Sequence, residues 1–151
     1  MAEELIRWDE MPEFMLYNDQ LCNIARAEIE KFLLEKDSVV TMAMVNNYVK
    51  NEIIKKPIKK KYIREHLASV IVIAFLKQVL SIDEIKKGIE LMLNNYSPQE
   101  AYDMFSELIE LEWDMIENGR TYDESKYNVH LVRATRCIAN NIYVKRHLNQ
   151  V

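Results

Sequence analysis

The chain has 151 residues, of which 49% are hydrophobic, and contains only two glycines and three prolines. This composition excludes a disordered chain and most sheet-rich folds, which need many turn residues, so the predicted fold class is all-α. The net charge of −4 argues against nucleic-acid binding, but residues 46–64 alone have seven basic side chains against one acidic, a net charge of +6.

The first half of the chain predicts an arm and two helices. Residues 1–18 have no clean periodicity, which predicts an irregular arm whose aromatic side chains, Phe14 and Tyr17 among them, pack onto the body. Apolar residues at i, i+3, i+4 and i+7 predict a first long helix over about 19–33. Thr41 is predicted to be the N-cap of a short helix that ends near Lys50.

Residues 53–62 interrupt the helical pattern. Pro57 disfavours helix at the preceding residue and breaks the backbone hydrogen-bond ladder. The apolar residues Ile54, Ile58 and Tyr62 surround a polar turn. This arrangement favours two short strands or an extended hairpin.

The remaining chain predicts four helices. Residues 64–79, apolar almost throughout 70–76, are the predicted central buried helix. Capping boxes at Ser81 with Glu84 and at Ser97 with Glu100 predict the starts of the next two helices, which end near 94–95 and 118–119. The last helix is predicted over about 125–148. We predict that the acidic helix at 99–117 and this basic last helix pair in an antiparallel arrangement.

Several classes of function lack support in the sequence. No run approaches the ~18 uninterrupted apolar residues of a membrane span. The acidic start, with Glu3 and Glu4, differs from a signal peptide, so a cytoplasmic protein is predicted. No phosphate-binding glycine loop, nucleophile motif or metal-ligand spacing is found. We therefore predict no catalytic residues, no metal and no cofactor.

The segment 39–64 combines features that duplex binding requires. A helix can enter the major groove, where asparagine can bond adenine, and lysines neutralise phosphates and release counterions. The candidate DNA-binding residues are Thr41, Met42, Ala43, Asn46, Asn47, Tyr48, Lys50, Lys55, Lys56, Lys59, Lys60, Lys61, Tyr62 and Arg64.

Alternatives remain for some of these residues. The lysine cluster is also compatible with a solvated surface, and Tyr48 with a core position, since it follows Met44 by four residues. Tyr62 is better suited to anchoring the hairpin in the core than to contacting phosphate.

The same segment resembles a known family. Residues 40–48, followed by Ile53-Ile54 and Pro57, resemble the Val-Ser-x-x-Thr-Leu-Arg-Tyr-Tyr run of MerR-type winged-helix regulators, which precedes an apolar pair and a proline. Residues 60–62 stand where that family has Arg-x-Tyr, and residues 80–85 are similar to its Phe-Ser-Leu-x-Glu-Ile run. Residues 41–50 and 60–66 also closely resemble a short family from low-GC Gram-positive bacteria that is described as a domain of unknown function.

The resemblance covers about residues 14–93 and implies roles for particular residues. Thr41 would cap the recognition helix, and Lys60 would take the place of the arginine in the wing. The Arg-Tyr-Tyr positions that face DNA or its backbone would be occupied by Asn46, Asn47 and Tyr48. Glu52 stands where the MerR-type family has a glycine after the recognition helix.

We therefore predict three regions: an arm at 1–18, a winged helix-turn-helix at 19–95, and a helical dimerisation or effector region at 96–151. The predicted function is sequence-specific binding of double-stranded DNA by a homodimeric transcriptional regulator. The alternative is a helical interaction module that binds an acidic protein partner without contacting DNA.

Overall fold

A computed structural model describes residues 3–150. It contains six α-helices: α1 Asn18–Ile29, α2 Met42–Lys50, α3 Arg64–Leu76, α4 Ile82–Leu93, α5 Pro98–Asn118 and α6 Val129–Leu148. Short 3-10 helices lie at Trp8–Glu10, Glu35–Asp37 and Glu124–Lys126. The described residues form no strand beyond isolated bridges, and the predicted all-α class is confirmed. None of the helices described is long and apolar enough to cross a membrane.

Side-chain caps set the starts of several helices. The Thr41 hydroxyl accepts the Met44 N–H at 3.1 Å, as predicted. The capping boxes at Ser81 and Ser97 are also confirmed, because each serine side chain and the glutamate three residues later bond to one another's backbone N–H. The last helix begins at Val129, later than predicted, because the Asn128 side chain caps it by accepting two backbone N–H groups.

Helix α3 is the centre of the core. It is buried on almost every side, since nine of its 13 residues are buried. Phe75 on α3 packs edge-on against Phe32, which follows α1, and against Phe105 on α5, with ring centroids 6.0 and 5.8 Å apart. The core therefore continues across the boundary drawn between residues 95 and 96.

The predicted antiparallel pairing of the last two helices is wrong. Contacts with α5 advance in the same order along both elements: Tyr127 bonds Glu107, Arg136 bonds Glu112, and Arg146 stacks on Trp113. The segment 119–127 runs back along α5 before α6 begins, with the Tyr122 hydroxyl bonded to Glu112. Helix α6 therefore runs in the same general direction as α5.

An ion pair and a hydrogen bond attach the N-terminal arm to α5. The aromatic side chains of the arm differ in their exposure. Arg7 forms a two-bond ion pair with Glu110 at 2.6 and 2.7 Å, and the Tyr102 hydroxyl donates to the Ile6 carbonyl at 2.6 Å. Trp8 packs against the core as predicted. Phe14 and Tyr17, however, are 66% and 55% exposed, so the prediction that they pack onto the body is wrong.

The predicted two-stranded hairpin at 53–62 is absent. One isolated bridge pairs Ile58 with Lys61, and a second pairs Tyr62 with Leu16 of the arm. Ile53 and Ile54 are buried directly after α2 and do not lie opposite Tyr62 in a ladder. The segment is thus a tight turn between α2 and α3.

Candidate nucleic-acid interface

Helix α2 presents a polar face to solvent. Val45 and Tyr48 are buried and attach the helix to the core. The opposite side, which we call the α2 face, is exposed and consists of Thr41, Met42, Ala43, Asn46, Asn47 and Lys50. Because the apolar stripe fixes the rotation of the helix, both asparagine amides are directed outward.

The end of α2 is closed by a strained residue. Glu52 has a φ of 58°, in the left-handed region that favours glycine. The following N–H groups of Ile53 and Ile54 both reach the Tyr48 carbonyl, at 2.9 and 3.4 Å, and terminate the helix. Glu52 therefore adopts a backbone conformation that is typical of glycine.

Residues 55–61, which we call the basic turn, hold two lysines in the same unusual conformation. Lys59 and Lys60 have φ values of 51° and 67°. Ile58 and Lys61 exchange backbone hydrogen bonds of 2.8 and 3.0 Å around them. Positive φ at both central residues is the pattern of a type I′ turn, where Asn-Gly is preferred because non-glycine residues are strained.

The His66 side chain on α3 replaces the next pair of backbone hydrogen bonds that a regular hairpin would form beyond this turn. Its Nδ1 accepts the Ile63 N–H at 2.9 Å, and its Nε2 lies 3.2 Å from the Lys56 carbonyl, to which it donates. In a regular ladder, Ile63 and Lys56 would bond to each other. The buried imidazole therefore ties the basic turn to the first turn of α3.

The lysines of the basic turn differ in their partners. Lys56, Lys59 and Lys60 are exposed. Lys55 is also exposed, but its Nζ lies 3.0 Å from the Glu65 carboxylate. Lys61 is half-buried, and its Nζ lies 5.3 Å from the centroid of the Tyr17 ring, within cation–π range. Lys59 and Lys60, at the tip of the basic turn, are therefore exposed and have neither of these two kinds of partner within residues 3–150.

Two residues at the start of α1 connect the α2 face to the basic turn. The Asn18 amide donates to the Asn46 side chain at 3.3 Å. Its neighbour Tyr17 lies beneath Lys61. The two surfaces therefore lie on either side of this short segment and are adjacent.

Three of the sequence-predicted residues are held away from this surface. Tyr48 and Tyr62 are 5% and 3% exposed, and burial raises the pKa of both phenols. Their hydroxyls belong to the core and not to a contact surface. The Arg64 guanidinium bonds the Met11 carbonyl at 2.8 and 3.1 Å, so it fastens the arm instead of facing solvent.

Two residues of this region were not predicted from the sequence: His66, which supports the basic turn, and Tyr17, whose ring lies against Lys61. Phe14 is a further exposed aromatic residue on the same arm. The sequence carries no alternating signal for this extended arm, because Met15, Leu16 and Tyr17 are all hydrophobic although only Leu16 is buried.

A family profile described as "Domain of unknown function (DUF1836)" matches residues 6–105. The matched stretch includes the α2 face, the basic turn, α3, α4 and the beginning of α5. No curated protein and no solved structure matches the chain.

Proposed function

The chain belongs to the family described as Domain of unknown function (DUF1836), and we propose, from the two surfaces that the matched segment contains, that this segment binds double-stranded DNA. In this proposal the protein is a cytoplasmic, homodimeric transcriptional regulator with a MerR-like docking mode. Helix α2 lies in the major groove and the basic turn lies on the adjoining phosphates.

The observation that supports this proposal most strongly is the pair of lysines at the tip of the basic turn. Lys59 and Lys60 occupy two left-handed positions. Each such position destabilises a non-glycine residue by about 1 kcal/mol relative to glycine. Strain of this kind is concentrated at functional sites. Two exposed positive charges at the apex, with no acidic partner in the salt bridges of the described residues, suit contacts with phosphate oxygens.

The charge around the interface supports one docking orientation. Residues 65–124 have four basic side chains against 13 acidic ones, a net charge of −9, whereas residues 46–64 have a net charge of +6. The repulsion between the acidic segment and the phosphate backbone therefore favours approach by the basic turn.

The two surfaces have different roles in the proposal. Asn46 and Asn47 project from α2, where their side-chain oxygens accept hydrogen bonds from the Asn18 and Asn51 amides. After leaving these partners, each can form two hydrogen bonds with an adenine edge, which discriminates bases by about 1–3 kcal/mol. The lysines contact phosphates and supply affinity that is independent of sequence. Lys55 would have to leave Glu65 to contribute.

The decisive experiment replaces the tip lysines by the residues that the turn prefers. The double variant Lys59→Asn/Lys60→Gly removes two charges and also relieves the backbone strain. Fluorescence anisotropy with a labelled 30-base-pair duplex of random sequence would give the binding constant over a range of NaCl concentrations. The slope of log K against log [NaCl] should become shallower by about 1.8 per protomer, or about 0.9 for each lost phosphate contact.

Stability and charge controls make this result interpretable. The melting temperature of the double variant should equal or exceed that of the parent protein, because strain is removed. Lys86→Gln/Lys87→Gln removes two charges from α4, outside the proposed interface, and should leave the slope unchanged. Equal slopes for the parent and the tip variant, or no binding at low salt, would refute the proposal.

A second candidate function is binding of an acidic protein partner. It is favoured by the exposed apolar side chains Phe14, Met42 and Ile58 on the arm, α2 and the basic turn, with exposed fractions of 66%, 50% and 50%. Protein interfaces combine such side chains with a charged rim. In this case Phe14→Ser would weaken capture of the partner, whereas binding to random duplex would be absent at every salt concentration.

Dimerisation is proposed to use the C-terminal helices. Tyr143, Val144 and Leu148 near the end of α6 are 53%, 51% and 64% exposed. A two-fold dimer would present two α2 helices to a palindromic site. Sedimentation velocity of the parent and of Val144→Glu would test this arrangement, which predicts that the variant is monomeric.

A further inference from the structure

A largely apolar cleft lies between α3, α4, α5 and α6, away from the α2 face. Its volume is about 430 Å³, within the range of about 300–1,000 Å³ that is typical of small-molecule sites. Most of its wall is aliphatic or aromatic and includes Val72, Leu76, Met92, Phe105 and Leu131. The N-terminal and C-terminal halves of the chain both contribute to it.

Gly88 in the wall of the cleft has no structural role that explains it. It lies in the interior of α4, where glycine destabilises a helix relative to alanine. Its φ is not positive, and a Cβ added to it would meet no atom within 4 Å. Neither backbone conformation nor close packing requires glycine here, and the missing side chain leaves space in the cleft.

The α4 wall is lightly anchored. Ile85 is the buried residue of this helix, whereas Leu91 and Leu93 in the wall of the cleft are 66% and 41% exposed. Leu91 and Leu93 are therefore open to solvent on the cleft side, whereas Ile82, Ile89 and Met92 pack against the core.

A few polar groups accompany the apolar wall. Glu65, at the start of α3, is the acidic residue that lines the cleft. The other polar lining residues are Ser69, Asn95, Asn128 and His130. An apolar cavity with a small number of polar groups orients a ligand by its polar end. The Glu65 carboxylate is also ion-paired with Lys55 at 3.0 Å, but the Lys55 side chain is 74% exposed and can turn away into solvent. A carboxylate here disfavours an anionic ligand and favours a group that donates hydrogen bonds.

From these observations we propose that the cleft binds a small molecule with an apolar body and a hydrogen-bond-donating head, oriented by Glu65. No residue of α2 lines the cleft, but Glu65 connects it to the basic turn through its ion pair with Lys55. The proposal does not depend on DNA binding.

The test uses the full-length protein and the neutral dye N-phenyl-1-naphthylamine, whose fluorescence rises in apolar sites. The dye should bind saturably with one site per chain. Octylamine and octanol should displace it, whereas octanoate should be about tenfold weaker because its charge repels that of Glu65. Glu65→Gln should reduce this difference between octylamine and octanoate.

Cleft-filling variants locate the bound dye. Gly88→Leu should weaken dye binding at least about tenfold while keeping or raising the melting temperature, because leucine favours helix and the space is empty. Lys87→Leu adds the same side chain to α4 at an exposed residue outside the cleft and should leave binding unchanged. Ala134→Leu fills the cleft from α6 and gives a second test if Gly88→Leu fails to fold.

Three results would overturn the proposal. The first is dye binding that both filling variants leave intact. The second is equal displacement by all three octyl compounds. The third is a cleft already occupied by a second copy of the chain, in which case the dye would not bind to the parent and Leu91→Glu would convert a dimer to a monomer.

Discussion

Replacing His66 with alanine tests whether one buried side chain holds the basic turn in place. The substitution removes the acceptor of the Ile63 N–H and the donor to the Lys56 carbonyl, and leaves two partly buried backbone groups without partners. Each loss costs about 1 kcal/mol in such a position, and the lost edge-on contact with Tyr62 adds about 0.5–1 kcal/mol. We expect the free energy of unfolding to fall by about 3 kcal/mol, which lowers the melting temperature by about 6–12 °C.

Urea denaturation and hydrogen exchange together check this prediction. His66→Asn retains an acceptor near the position of Nδ1 and should recover about half of the lost stability, since the bond to Ile63 is kept. The Lys61 amide, which donates to Ile58 within the turn, should exchange faster in His66→Ala. A loss below about 1 kcal/mol, with unchanged protection of Lys61, would refute the role assigned to His66.

The same residue predicts a pH dependence of stability. Burial lowers the pKa of the His66 imidazole below its ordinary value of 6.5, although the hydrogen bond to the Lys56 carbonyl opposes the shift. A group whose pKa is lower in the folded state gives its full contribution to folding stability at pH values above its unfolded-state pKa. That contribution is lost as the pH falls below the unfolded-state pKa. At pH 5.5 this loss is at most about 1.4 kcal/mol. The parent should lose more stability than His66→Gln between pH 7.5 and 5.5, whereas His147→Gln, at an exposed histidine, should behave like the parent.

Three further substitutions test the remaining fold, each by urea denaturation. Arg136→Ala should lower the free energy of unfolding by roughly 3 kcal/mol, because it leaves the buried Glu112 carboxylate without its cation. Arg133→Ala, at an exposed arginine of the same helix, should change the free energy of unfolding by less than about 0.5 kcal/mol. Equal effects would contradict this assignment. Glu52→Gly should stabilise by about 0.5–1 kcal/mol, since its φ is positive, and a loss would show that the glutamate makes a compensating contact. Gly119→Ala should destabilise by about 1 kcal/mol, because Gly119 ends α5 with a φ of 69°, and a neutral result would contradict a left-handed cap.

The features that the sequence predicted correctly are mostly local. Thr41, Ser81 and Ser97 cap the helices that follow them because each cap depends on atoms within three residues. The burial of α3 also follows directly from its uninterrupted apolar run, which leaves no polar face for solvent. Such capping hydrogen bonds and apolar runs depend on residues that are close together in the sequence.

The features that the sequence did not predict depend on distant partners. The direction of α6 follows from Tyr122 and Tyr127 binding back along α5, and neither tyrosine signals this in a periodic pattern. The absence of the hairpin follows from His66, a residue outside the turn that bonds to both sides of it. Tyr17 joins the candidate interface only because the arm pairs with Tyr62 across the molecule.

Within the candidate site, the sequence predicted the location of the basic segment and the exposed side of α2. It did not separate available charges from engaged ones. Arg64 and Lys60 look equivalent in sequence, yet the first fastens the arm and the second is exposed at the apex of a strained turn. That distinction depends on backbone conformation and on contacts more than 50 residues apart.

The contacts between the arm and α5 join residues that are far apart in the sequence, which affects when they form during folding. The ion pair of Arg7 with Glu110 joins residues separated by 103 positions, so forming it before the intervening chain has folded costs the entropy of closing a long loop. We therefore expect the arm to dock late in folding and to detach first during unfolding. The Arg64 guanidinium, at the start of α3, donates a hydrogen bond to the Met11 carbonyl of the arm. Detachment of the arm would therefore also release this guanidinium, which lies beside the basic turn. The positive charge available at this surface would then rise transiently whenever the arm opens.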